Sequence, residues 1–94
     1  MPHALIKVTV EDRDTWKINF EQAAQLRKSY GSMGVTAFSQ AGSPNAVFIL
    51  GEYEDLDRAR QLFQSSEFRE VAKKAGVIGA PEVTFLNEIL QLPS

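Results

Sequence analysis

The chain has 94 residues, a net charge of −2, 44% apolar and 23% charged residues and no cysteine. That is one domain's worth of chain, able to bury about two-thirds of its extended surface and too apolar to stay disordered. The composition excludes a disulfide scaffold and thiolate chemistry, and it offers no basic patch for nucleic acid or membrane surfaces and no apolar run near the ~20 residues of a membrane span.

Met1-Pro2-His3-Ala4 leads straight into a β-branched alternating run, without the basic start and apolar stretch of a signal peptide. A cytoplasmic location is therefore expected. Residues 4–10 (ALIKVTV) read as a strand with Ile6, Val8 and Val10 on one face and Leu5, Lys7 and Thr9 on the other. Asp12 and Asp14 are suitable helix caps. Trp16, Phe20, Ala23, Arg27 and Tyr30 then recur at helical spacing, which predicts one long helix to about Tyr30, stopped by Gly31 and Gly34.

Residues 35–40 (VTAFSQ) read as a second strand, 42–45 (GSPN) as a turn and 46–53 (AVFILGEY) as a third strand, the two strands forming a hairpin. Asp55 or Asp57 caps a second helix through Leu56, Ala59, Leu62 and Phe63. Ser65-Ser66 breaks or kinks it before Phe68, Val71, Ala72 and Ala75 resume the period. Residues 76–81 (GVIGAP) read as a loop, 82–89 as the last strand and 90–94 as a tail.

The order βαββαβ predicts a single α+β domain over residues 1–94, of the ferredoxin-like type. It has a four-stranded antiparallel sheet with two helices on one face, the first and third strands central. The third strand is apolar on both faces, with Phe48 and Leu50 on one and Val47 and Ile49 on the other. Helices cover only one face of such a sheet. The other is left with some of Leu5, Ala37, Phe48, Leu50, Val83 and Phe85. An exposed apolar face of that kind marks an association surface, and a two-fold homodimer through the helix-free face is the expected solution.

The strand order, the Trp16-centred first helix and the run from Gly76-Val77-Ile78-Gly79-Ala80-Pro81-Glu82-Val83 to Phe85-Leu86 resemble the dimeric α+β barrel superfamily. More narrowly, the chain resembles small bacterial proteins of the antibiotic-biosynthesis-monooxygenase-like type, some of them uncharacterised and labelled cyclases. The resemblance spans nearly the whole chain and implies two sheets facing each other, helices outside and a ligand cleft between helices and sheet. Activities in the superfamily include cofactor-free oxygenation, isomerisation and haem degradation. The haem-degrading branch uses an Asn on the first strand, a Trp on the third and a His on the second helix. Here those places offer Lys7 and Thr9, Phe48 and no histidine, so haem degradation is not expected.

His3, the single histidine, is a candidate acid or base, with a surface contact as the plainer reading. Trp16, Phe20, Phe38, Phe48 and Phe85 are candidates to line an apolar pocket, against plain core packing. Lys7 in mid-strand would meet an anionic ligand or a partner carboxylate, or snorkel. Asn87, two after Phe85, would hydrogen-bond a ligand or make an edge contact. Arg27 and Tyr30 would give a cleft its polar end, though a cation near a helix C-terminus needs no ligand. Glu52-Tyr53-Glu54-Asp55 reads as a solvated strand end. No metal ligand set, nucleophile elbow or P-loop is present. Two functions remain. One is a cofactor-free monooxygenase- or cyclase-like enzyme acting on a small aromatic substrate. The other is a non-catalytic ligand-binding or interaction module.

Overall fold

Alternation decides the first strand. In the computed structural model, which describes residues 2–94, β1 (Pro2–Val10) buries Ala4, Ile6, Val8 and Val10 and exposes Lys7 and Thr9 on the opposite face. α1 (Arg13–Gln22) starts at Asp12, whose carboxylate accepts from the Thr15 hydroxyl at 2.6 Å and the Thr15 amide at 3.1 Å. Those two bonds, the hydroxyl's first, hold the Asp12 carboxyl below its ordinary pKa.

The spacing from Trp16 to Tyr30 predicts one helix, but the chain divides it. α1 stops at Ala23, and α2 (Ala24–Ser29) follows. At the break the Arg27 guanidinium donates to the Phe20 carbonyl at 2.6 Å, and the Ala23 amide donates to the same oxygen at 3.2 Å. An unbroken helix would give that carbonyl to the amide four residues on. Periodicity misses the break because the apolar face runs on across it.

β2 (Ser32–Gln40) and β3 (Ser43–Tyr53) form the hairpin. The turn is tighter than the composition suggests: Gln40 pairs with Ser43, and Gly42 takes φ 83°, a left-handed value that glycine adopts without strain. Ser43, Pro44 and Asn45 therefore belong to the strand. α3 (Leu56–Gln64) is capped by Asp55, which accepts from the Arg58 amide at 2.8 Å. The break at Ser65 has a defined chemistry. Its hydroxyl donates to the Leu62 carbonyl at 2.7 Å, ending α3, and accepts from the Phe68 amide at 3.1 Å, starting α4 (Ser66–Lys74).

The expected loop over 76–81 is strand from Val77 onward, with Gly76 in the turn before it. β4 (Val77–Asn87) pairs Val77 with Val10 and Ile78 with Thr9, then shifts register between Lys7 and Thr9 of β1. Gly79 and Pro81 fit because β4 is an edge strand, where a proline need not break a ladder on both sides. Residues 88–94 carry no helix or strand.

The sheet order is β2-β3-β1-β4, all antiparallel, with the first and third strands central as the sequence predicts. One face joins the helices in a single core holding Ile6, Val8, Val47, Ile49, Tyr53, Trp16, Ala59 and Leu62. The helix-free face carries Leu5 opposite Leu50 and Phe48 opposite both Lys7 and Phe38. Phe38, Leu50, Ile78 and Leu86 are exposed. Ala37, Val83 and Phe85 pair with Ile49, Ile6 and Ala4, so they lie on the helix side rather than on this patch.

Candidate functional site

The helix side of the sheet holds two adjoining spaces. Between helices and sheet is a cavity of about 60 Å³, walled by Ile6, Val8 and Ile49 from the strands and Leu26, Leu62, Phe63, Phe68 and Ala72 from the helices. Along α1 and β2 runs an open groove of about 550 Å³, with Arg13, Lys17 and Glu21 among its residues. Trp16, Phe20, Arg27 and Val35 border both. The two spaces therefore meet at these four side chains.

Three of the four form a stack. The Trp16 and Phe20 rings lie 4.8 Å apart at 23°, and the Arg27 guanidinium carbon sits 3.9 Å from the Phe20 centroid. The bond from Arg27 to the Phe20 carbonyl fixes the guanidinium there, so the helix break and the stack are one construction. Tyr53, 1% exposed, lines the cavity from β3. Burial pushes its hydroxyl up to about 12, while the nearby Arg27 charge pulls the other way. Burial also lowers the Arg27 pKa, opposed by Tyr53. Gly51, two residues before on the same face, sets the Tyr53 ring. A Cβ there would lie 2.9 Å from Tyr53 Cε1 and 3.3 Å from Val35 Cγ1. The ring folds back along the strand into space that only glycine leaves open.

Of the residues singled out in the sequence, Trp16, Phe20 and Arg27 converge here. Phe38 borders the groove at the edge strand. Phe85 packs on the helix side against Phe63 at 6.1 Å, with the Arg60 guanidinium 5.1 Å from its ring, and borders neither space. Tyr30 packs against the core behind α2, also outside both. Lys7 and Phe48 lie on the helix-free face, the ammonium 5.6 Å from the ring, because strand parity turns them away from the helices. His3 shares that face, half-buried between Glu52 and Leu86. Asn87 is exposed at the end of β4. Tyr53 is the residue sequence reasoning missed. Its acidic neighbours suggest a solvated strand end, but Val47, Ile49, Gly51 and Tyr53 share one parity, and that signal was the stronger.

Among the described residues no charged side chain is buried, and no group of three His, Cys, Asp or Glu stands ready for a metal. The groove offers aromatic walls, three cations in Arg13, Lys17 and Arg27 and two exposed carboxylates in Asp14 and Glu21, and the cavity behind it offers aliphatic walls with Arg27 and the Tyr53 phenol. The groove can hold an apolar planar body and meet an oxygen atom on it with the Arg27 donors.

No family model and no curated protein matches the sequence. Solved structures do match. A protein from Bordetella bronchiseptica provisionally named an antibiotic biosynthesis monooxygenase superposes with TM-score 0.79 at 19% identity, over 95% of this chain and 97% of that one. SnoaB of Streptomyces nogalater, a cofactor-independent oxygenase, gives TM-score 0.77 at 16% identity over 99% and 97%. A protein of Caulobacter crescentus, provisionally named like the first, gives 0.73 at 14% over 95% and 90%. The chain thus has the fold of the antibiotic-biosynthesis-monooxygenase-like α+β proteins, as the resemblance in its sequence implies.

Proposed function

We propose that this protein binds a small, largely apolar, planar ligand in the groove between α1 and the sheet, and acts on it as a cofactor-free oxygenase of the kind SnoaB is named for. The observation that carries the reading is the wall shared by groove and cavity, built from the Trp16–Phe20–Arg27 stack, with Tyr53 behind it in the cavity. A ring laid along the stack would bring an oxygen substituent towards the guanidinium. A cation in a poorly solvated place favours the anionic form of such a substituent, an enolate or phenolate, which is the electron-rich form. The apolar walls keep water from competing. Thermal-shift screening with small phenols and aromatic acids, followed by an oxygen electrode on those that bind, tests it. Binding with oxygen uptake that Arg27→Met lowers supports the reading; binders that never draw down oxygen refute the oxygenase part.

One observation favours a second reading, a non-catalytic binding module. The side chains around the cavity include no carboxylate and no histidine, and the two carboxylates of the groove, Asp14 and Glu21, are exposed on α1, so no buried proton acceptor faces either space.

In either reading the working unit is a homodimer. The support is the apolar helix-free face, with Phe38, Leu50, Ile78 and Leu86 exposed beside Leu5 and Phe48. A solution mass of one chain at micromolar concentration refutes it.

A further inference from the structure

The geometry points to a second binding site behind the groove: the 60 Å³ cavity is a dry chamber for a small apolar molecule of the size of dioxygen. The naming of dioxygen rests on the oxygenase reading; the chamber itself rests on size, lining and position.

Size excludes the planar ligand. An apolar cavity that takes benzene measures roughly 150 Å³, more than twice what is present here, whereas one water needs only about 10–15 Å³. A ring must stay in the groove, and the chamber is left for something smaller. The lining disfavours water. Its surface is almost all carbon, from residues such as Ile49, Leu62, Val71 and Ala72, and its polar side chains are Arg27, Tyr53 and the Trp16 indole. A buried water wants two to four polar partners, which only those side chains supply. An apolar guest forfeits no hydrogen bonds anywhere in the chamber and gains dispersion contacts that an empty space lacks. Position makes the chamber useful. Trp16, Phe20, Arg27 and Val35 border both spaces, so a guest inside lies one side chain from a ligand in the groove.

Dioxygen is paramagnetic and is its own probe. Methyl relaxation is measured by NMR in nitrogen-flushed and in oxygen-equilibrated protein. The chamber methyls of Ile49, Leu62 and Val71 are expected to show several-fold more oxygen-induced relaxation than those of Val10, which is fully buried but lies outside the chamber. Ala72→Leu fills the chamber and is expected to abolish the excess while leaving groove ligands bound. If that variant does not fold, the comparison within the unmodified protein still decides. Equal enhancement at Val10 and at the chamber methyls overturns the proposal. Excess relaxation without oxygen uptake on any groove ligand keeps the chamber as a dioxygen-sized site and overturns the oxygenase reading alone.

Discussion

Removing the Arg27 guanidinium tests the centre of the structural account. Arg27→Met keeps most of the aliphatic stem but deletes the donor to the Phe20 carbonyl at 2.6 Å and the cation 3.9 Å from the Phe20 ring. A hydrogen bond from a charged donor is worth about 1.5–3 kcal/mol, and a partly desolvated cation–π contact about 0.5–2 kcal/mol. Against these stands the cost of burying the guanidinium, the same cost that lowers its pKa. A net loss of about 2–3 kcal/mol follows, a large share of the roughly 5–15 kcal/mol that holds a small domain folded. At about 4–8 °C per kcal/mol that lowers Tm by roughly 8–24 °C. Urea unfolding followed by fluorescence reads it directly, because Trp16 is the single tryptophan and stacks on Phe20. The midpoint should fall at constant m-value. Arg27→Lys keeps the charge but not the planar fork and should restore less than half. A loss below about 0.5 kcal/mol for Arg27→Met would mean that the stack and the helix break are held by something else.

Tyr53 predicts an alkaline limit. Its hydroxyl proton is ordinarily lost at 10.0 and here is held to about 12, so the neutral phenol stabilises fully below pH 10. That contribution, at most about 2.7 kcal/mol, disappears as pH rises from 10 towards 12. Tyr53→Phe should lose stability less steeply over that window, and parallel denaturation curves would refute the assignment. Gly51→Ala places a methyl 2.9 Å from the Tyr53 ring and should cost about 1–3 kcal/mol by overpacking, with Gly51→Ala plus Tyr53→Leu recovering part of it; an unchanged urea midpoint for the single variant contradicts the ring placement. Leu50→Glu puts a charge in the middle of the helix-free face, where Leu50 pairs with Leu5 and Thr36. Light scattering should show half the unmodified mass with folded far-UV spectra, and an undiminished mass would move the interface elsewhere.

The sheet and its two faces were legible because a period of two leaves little choice once one face is buried. Residues 4–10 alternate cleanly and 46–53, apolar on both faces, suits a central strand, and the structure follows both. The Ser65 break was legible because serine carries both the donor and the acceptor that a helix junction needs. The Ala23 break was not. Alanine announces no junction, and the group that stabilises this one arrives from Arg27, one turn later and on the same face. The strand over 77–81 was hidden by Gly79 and Pro81, which read as breakers unless their edge position is known. The site was half legible for the same reasons. Helical spacing brought Trp16, Phe20 and Arg27 together. Tyr53 was masked by its acidic neighbours, and Lys7 and Phe48, conspicuous by type, were turned away by strand parity.

The short helix α2 has a consequence for traffic. It is six residues long, has no side-chain cap and contains no fully buried residue, yet it supplies Leu26 and Arg27 to the cavity wall. Helices this short are marginal unless packing holds them, and such elements open locally long before the whole protein unfolds. Guests therefore need no hinged lid. Fraying of one helical turn would lift Leu26 and Arg27 together, so exchange of a guest in the chamber is expected to follow the amide opening rate of residues 24–29.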